Sequence, residues 1–183
     1  MSFNLATMLR ESALATPDKP LALLNDLSFS YAQVDEISGR VASALLATGL
    51  QRGDKVAVQL PNLPQFLFCY FAILKAGLVM VPLNPLLVAP EVAYHLQDSE
   101  SKVLITFELF AEQAVKGAEQ VDGVSTYVVT LPGSDVRPAG TKHFDELYFA
   151  DDTGDIAPTD ADDTAVLLYT SGTITRPALR MAK

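Results

Sequence analysis

The residues best suited to chemistry stand near the end of the chain, in Thr170-Ser-Gly-Thr173. Three hydroxyls and a glycine in four positions can wrap an anion, with backbone N–H and side-chain O–H groups as donors. Thr170 to Thr175 reads as a turn, and Arg176-Pro177 gives it a rigid exit. The preceding run, Ala165 to Tyr169, is wholly apolar, the composition of a strand buried on both faces. A strand leading into a hydroxyl-rich turn is compatible with phosphate binding, although a strand followed by a polar turn occurs in most α/β proteins and the upstream chain must decide. Asp151, Asp152, Asp155, Asp160, Asp162 and Asp163 cluster just upstream and invite a metal. Their spacing lacks the Asp-x-Asp-x-Asp-Gly pattern of a calcium loop, so a solvated acidic linker is expected and no metal ligand is assigned. Cys69 is the only cysteine and lies inside Phe66-Leu-Phe-Cys-Tyr-Phe71, which excludes a disulfide framework or cysteine metal cluster. A buried, inert thiol is expected there. Glu36, His95 and Asp98 fall on helix surfaces as solvated side chains, His143 is assigned no role, and no catalytic residue is assigned.

The elements that must position the turn follow from the apolar pattern. Leu5, Met8, Leu9, Ser12 and Ala13 have helical spacing, closed by Thr16-Pro17-Asp18-Lys19-Pro20. Leu21–Leu24 and Leu27–Ser30 form a hairpin about Asn25-Asp26. Tyr31 to Gly49 is the best helix, with Ser30 as N-cap, Gly49 at C′, and Val34, Ile37, Val41, Ala44, Leu45 and Thr48 on one face. Lys55–Leu60 is a strand with a buried centre. Gln65–Ala76 is a helix apolar all round, hence interior. Leu78–Val81 is a buried strand, and Pro82-Leu-Asn-Pro85 is irregular, because prolines do not sit inside a ladder. Pro90–Asp98 is a helix with proline at N1. Lys102–Thr106 and Ser125–Thr130 are strands, Glu108–Gln120 a helix, Leu131–Thr141 a loop and Phe144–Phe149 a short helical turn. Strand–helix alternation from Lys55 onward predicts an α/β fold with a mostly parallel sheet flanked by helices. Ligands of such sheets bind beyond the carboxyl ends of the strands, where Thr170–Thr175 would lie.

The 183 residues fit one domain with a real core. Apolar residues are 49% and charged residues only 19%, so part of the surface expects further protein. Self-association through exposed apolar surface follows as an expectation. The formal net charge of −9 argues against a nucleic-acid partner. Arg10, Glu11, Asp18 and Lys19 interrupt the first twenty residues, so no signal peptide is visible. The longest apolar run, Phe66 to Leu74, is well short of the roughly 20 residues of a membrane span. A cytoplasmic protein is expected.

In this order the segments resemble the adenylate-forming enzymes: acyl-CoA synthetases, luciferases and nonribosomal peptide adenylation domains. Ser30-Tyr-Ala-Gln-Val-Asp-Glu36 looks like the family's Thr-Tyr-x-Glu-Leu segment. Gly49-Leu-Gln-Arg-Gly-Asp-Lys-Val-Ala-Val58 is similar to its Gly-x-x-x-Gly-Asp-x-Val stretch. Pro61-Asn62, Leu74-Lys-Ala-Gly77, Val81-Pro-Leu-Asn-Pro85 and Glu91–Asp98 follow in kind and spacing. Tyr169-Thr-Ser-Gly-Thr173 looks like the start of the phosphate-binding Tyr-Thr-Ser-Gly-Thr-Thr-Gly-x-Pro-Lys-Gly loop. The resemblance implies the N-terminal subdomain of the acyl-CoA synthetase/luciferase-like fold, with Thr170, Ser171, Gly172 and Thr173 as ATP-phosphate ligands. It implies ATP with Mg²⁺, CoA as co-substrate, and a fatty or other carboxylic acid. The parent reaction forms an acyl-adenylate and pyrophosphate, then transfers the acyl group to a thiol and releases AMP. Val81-Pro-Leu-Asn-Pro85 and the upstream texture lean toward a long-chain fatty acyl-CoA synthetase.

The resemblance stops halfway through the loop. Ile174 stands for the second threonine, Thr175 for the second glycine, Ala178 for the lysine and Leu179 for the last glycine. Ala178 removes the motif's only cation, although Arg176 and Arg180 are near, and weakened triphosphate binding is expected. The family's adenine, metal and ribose ligands and its mobile C-terminal domain come after this loop. Residues 1–183 are therefore expected to be a partial N-terminal AMP-binding domain of a fatty acid–CoA ligase, itself inactive and binding no cofactor. The alternative is a natural non-catalytic binding or dimerisation module that keeps the fold.

Overall fold

The computed structural model describes residues 4–170. The chain forms an α/β fold with a mostly parallel sheet flanked by helices, and it divides into two compact units.

The first unit takes, of the described residues, 4–52, 62–78 and 145–161. It holds helix α1 (Ala6–Ala15), the antiparallel hairpin β1 (Pro20–Leu24) and β2 (Leu27–Ser30), helix α2 (Tyr31–Ala47) and helix α3 (Pro64–Lys75). The hairpin turns at Asn25-Asp26 as expected, with Asn25 in the left-handed region at φ 51°. Ser30 caps α2: its Oγ accepts from the Gln33 N–H, and the Gln33 side chain accepts from the Ser30 N–H. Gly49 follows the helix at φ 94°, a conformation glycine adopts without a Cβ clash. Leu9, Val34 and Phe68 make the core, with Leu21, Phe29, Tyr31, Ile37, Phe71 and Tyr148 around them. No residue of α3 is exposed, in agreement with its all-round apolar composition. Thr48, expected on the buried face of α2, is exposed, while Ser38, Gly39 and Ala42 are buried. Small residues carry little apolar signal, yet they let α2 lie close to its neighbours.

A charged cluster lies within this unit. Lys75, near the end of α3, has a fully buried side chain whose Nζ lies 2.8 Å from Asp35 Oδ1 and donates to the Asp35 carbonyl. Arg10 Nε reaches Asp35 Oδ2 at 2.7 Å. The acidic segment expected to be a solvated linker is in part pinned here. Arg10 Nη1 donates to Gly154 O at 3.0 Å, and the Ala157 N–H donates to Lys75 O at 2.7 Å. Asn4 Nδ2 donates to both Leu74 O and Ala157 O. The Asp152 carboxylate sits directly over Gly39 and leaves no room for a Cβ. Sequence spacing hides this arrangement because its partners stand between 25 and 153 residues apart.

The second unit takes residues 53–61, 79–144 and, of the described residues beyond them, 162–170. Its five strands are β3 (Lys55–Gln59), β4 (Val79–Pro82), β5 (Ser101–Phe107), β6 (Ser125–Val129) and β7 (Lys142–His143). They run parallel in the order β4-β3-β5-β6-β7, with Val56 opposite both Met80 and Val103. Helix α4 (Ala89–Ser99) joins β4 to β5, and helix α5 (Ala111–Ala118) joins β5 to β6. Ala57, Val81, Leu83, Val92, Leu96, Leu104, Ala114 and Ala118 form one buried cluster between sheet and helices.

Three sequence expectations are corrected, and one strand was not expected. Pro82, expected in irregular chain, ends β4 opposite Val58. At the last position of a strand the missing N–H costs no interior ladder bond, and the next donor, Leu83 N–H, bonds Val58 O. Helix α5 starts at Ala111 instead of Glu108, because the Glu108 N–H donates to Val129 O and prolongs the sheet. Pro90 follows Ala89 and so stands second in α4 instead of first. Strand β7, two residues long, has no sequence signal.

Close packing of α5 on α4 rests on Gly117. A Cβ there would lie 2.7 Å from both Ala89 O and Val92 Cβ. Gly117→Ala is expected to destabilise the protein by about 1–3 kcal/mol, against the roughly 1 kcal/mol that alanine favours in a free helix. A urea midpoint equal to or above wild type would show that the helices have room.

Candidate functional site

The sheet order reverses between β3 and β5: the chain moves from β3 to β4 on one side, then crosses to β5 on the other. A parallel sheet opens a crevice beyond the carboxyl ends of its strands at such a reversal. Gln59, the last residue of β3, is wholly buried there. Its Nε2 donates to Asn84 O and Pro85 O at 3.3 Å each, and its Oε1 accepts from Thr106 Oγ1 at 3.2 Å. One side chain thus ties the loop after β4 to the ends of β3 and β5. A glutamine ending the apolar run Val-Ala-Val is the one sequence signal for this role. Asn84 Oδ1 accepts from the Leu86 N–H at 2.9 Å and tightens the same loop. Farther along the edge, Ser134 Oγ donates to Glu108 Oε2 at 2.6 Å. Thr130 Oγ1 and His143 Nε2 lie 2.8 Å apart, so His143 has a partner.

Residues Ala165–Tyr169 do not form a strand buried on both faces. Val166 makes a single parallel bridge with Met80, through Met80 N–H to Ala165 O at 3.0 Å and Leu167 N–H to Met80 O at 2.8 Å. The run is half-buried, and Leu168 is 38% exposed. It lies alongside the edge strand β4, so β4 covers one of its edges. Because the bridge is parallel, the chain leaves toward the carboxyl end of β4, the side on which a phosphate turn would be useful.

Tyr169 is held by side chains of α4. Its hydroxyl donates to Asp98 Oδ2 at 2.7 Å, and its ring meets the His95 ring edge-on with centroids 4.5 Å apart. Burial pushes the phenol well above its ordinary pKa, and the Asp98 carboxylate adds to the effect. His95 and Asp98, expected as merely solvated side chains, therefore have a shared partner that sequence distance concealed. Glu36 behaves as expected, in an exposed pair with Arg40 at 2.8 Å.

Of the candidate phosphate ligands, Thr170 is described and is exposed. Ser171, Gly172 and Thr173 lie outside the described residues, as do the departures from Ile174 to Leu179 and the cations Arg176 and Arg180. Among the described residues no group of three or more His, Cys, Asp or Glu side chains could hold a metal ion. Cys69 is buried and its thiol is pushed far above the ordinary range by desolvation, which leaves it unsuited as a nucleophile. No helix among the described residues is long and apolar enough to cross a membrane.

The fold and the crevice define a parallel α/β domain whose edge strand β4 is bridged at Val166 by a segment running toward the carboxyl ends of the strands. Residues 9–179 match the family described as AMP-binding enzyme. The chain is 35% identical over 156 residues to the crotonobetaine/carnitine–CoA ligase of Salmonella enteritidis PT4 (strain P125109), a match covering 81% of this chain and 29% of that protein. Among solved structures it is similar to the anthranilate CoA ligase AuaEII in complex with anthranoyl-AMP, with a TM-score of 0.89 and 23% identity over 96% of this chain and 34% of that one. The N-terminal domain of FACL13 from Mycobacterium tuberculosis, bound to an inhibitor, matches with a TM-score of 0.81 and 28% identity over 100% of this chain and 44% of that one. The protein belongs to the AMP-binding enzyme family, within the acyl-CoA ligase superfamily. The chain spans 29% of the length of the curated relative named here.

Proposed function

We propose that these 183 residues are the N-terminal portion of an ATP-dependent acid–thiol ligase. In the whole enzyme a carboxylate oxygen attacks the α-phosphorus of ATP, and the bond to pyrophosphate breaks. The CoA thiolate then attacks the acyl carbon of the adenylate, and AMP leaves. Mg²⁺ would screen the triphosphate charge when bound. The observation that carries the reading is the family match across residues 9–179, which contains the whole candidate loop. The task of this portion is to hold donors for phosphate oxygens at the edge of β4, with Thr170 the first of them.

The narrower reading of the acid is a fatty acid. It is supported by the likeness of Val81-Pro-Leu-Asn-Pro85 to fatty acyl-CoA ligases. A second reading, a short polar acid, is favoured by the 35% identity to a crotonobetaine/carnitine–CoA ligase. The two separate in one assay: the reading frame carrying these residues, expressed with all that follows Lys183, is given ATP, CoA and either palmitate or crotonobetaine. Palmitoyl-CoA formation supports the fatty acid, whereas turnover of crotonobetaine alone overturns it.

The 183-residue chain by itself is expected to release no pyrophosphate from ATP with any acid, because Ala178 replaces the loop lysine and the family's adenine and metal ligands follow the loop. Acyl-adenylate formed by the purified chain would overturn that expectation. Calorimetric titration with Mg²⁺-ATP is expected to give a Kd weaker than about 0.1 mM, equivalent to about −5.5 kcal/mol. Tighter binding would show that the altered loop retains its affinity.

A further inference from the structure

We propose that Asp98 and His95 are positioning residues that fix the entry to the phosphate-binding stretch through Tyr169, an inference resting on the reading of Thr170–Thr173 as that stretch. Donors around a phosphate act by being held in place before the ligand arrives, so something rigid must set their direction. Tyr169 is the residue immediately before Thr170, and its own position therefore directs the Thr170 N–H and hydroxyl. The preceding segment has a single bridge to β4, at Val166, and is half-buried. The side chain of Tyr169 adds the hold that this short pairing lacks: the 2.7 Å bond to Asp98, the edge-on contact with His95 at 4.5 Å, and packing on the cluster containing Val92 and Leu96.

The anchor is itself rigid. His95 Nδ1–H donates to Glu91 O at 2.6 Å, which fixes the ring orientation one turn back along α4. Ser99 Oγ donates to His95 O at 2.6 Å. The start of α4 is tied by the Glu91 carboxylate, which accepts from the Val88 N–H at 3.0 Å, and by the Ala89 N–H, which donates to Gln113 Oε1 at 3.1 Å. Asp98 is exposed and takes no part in the core, so a helix that needed only a solvated polar side chain there could carry many others. What the position supplies is an acceptor within reach of the Tyr169 hydroxyl.

The test uses the 183-residue chain with Asp98→Ala, Asp98→Asn, Tyr169→Phe, the Asp98→Ala/Tyr169→Phe double variant and His95→Ala. Amide hydrogen exchange is followed at Leu168–Thr170, and Mg²⁺-ATP is titrated by phosphorus NMR. Asp98→Ala and Tyr169→Phe are each expected to speed exchange there about three- to tenfold, the scale of one lost hydrogen bond. The double variant should go no further than either single, and Asp98→Asn, which keeps an acceptor oxygen, should restore wild-type exchange. His95→Ala should speed the same amides, and all variants except Asp98→Asn should weaken Mg²⁺-ATP in parallel. Unchanged exchange in Asp98→Ala overturns the anchor. Faster exchange with undiminished affinity overturns the positioning role. The titration is repeated with Ala178→Lys, which returns the motif's cation. Faster exchange in the anchor variants, with no Mg²⁺-ATP binding by the Ala178→Lys chain at any concentration, supports the anchor and overturns the phosphate-loop reading beneath it.

Discussion

Asp35→Ala is expected to lose about 3–5 kcal/mol of stability, the range found when one partner of a buried ion pair is removed. The reason is Lys75. Its side chain has no exposure to solvent, and its ammonium lies 2.8 Å from Asp35 Oδ1. Removing the carboxylate leaves a buried ammonium with the Asp35 carbonyl and the more distant Asp152 charge. Arg10 loses the same partner, and with it part of its grip on the segment that passes Gly154. Lys75→Met is expected to cost less, because Asp35 keeps Arg10 at 2.7 Å and methionine fills most of the lysine volume. Chemical denaturation of the two variants side by side checks the order. An Asp35→Ala variant as stable as Lys75→Met would show that the lysine finds another partner.

Alkaline titration gives the same pair a second signature. Desolvation holds Lys75 below the ordinary lysine value, partly opposed by Asp35. Between the folded and unfolded values the unfolded chain binds more protons, so this group's contribution makes stability rise with pH through that window. Cys69 and Tyr148 are shifted up by burial and act in the opposite sense over the same range. The Lys75 contribution is therefore read as the difference between wild type and Lys75→Met. A difference independent of pH up to about 10.4, the ordinary lysine value, would show that Lys75 is not perturbed.

Phe68→Ala is expected to cost about 3–5 kcal/mol, the usual range for a buried phenylalanine. Phe68 is 2% exposed and meets Phe29 edge-on at 5.2 Å and Tyr148 at 6.5 Å between ring centroids. Leu9 of α1 and Val34 of α2 belong to the same cluster. The side chain thus joins three helices, the hairpin and the turn at Phe144–Tyr148, and none of them can close the space alone. The expected readout is a large fall in the thermal midpoint, together with loss of near-ultraviolet circular dichroism from Tyr148. A fall of only a few degrees would mean that Phe29 and Tyr148 collapse into the gap.

These effects differ in how visible their causes are along the chain. The Asn25-Asp26 hairpin, the Ser30 cap and the Gly49 stop were legible because each depends on residues within a few positions. The interior position of α3 was legible because no polar stripe interrupts Phe66–Leu74. The Lys75 cluster was not: a lysine near a helix end is ordinarily a solvated charge, and its partner lies forty residues earlier. Asp98 and His95 read as solvated for the same reason, their partner being Tyr169, seventy-one residues beyond Asp98.

Sequence alone determined the order of elements other than β7, the parallel α/β class and the family, since apolar period, turn chemistry and the motifs from Ser30 to Thr173 are local properties. Only the tertiary structure decided which side chains meet. It placed Ala165–Tyr169 at the edge of β4 through one bridge instead of inside the sheet. It made Gln59 the tie between the ends of β3, β5 and the loop after β4. It gave Tyr169 its partners on α4. The physical reason is that apolar pattern records how much surface a segment must bury, whereas hydrogen bonds and ion pairs depend on distances that exist only after the chain has closed on itself.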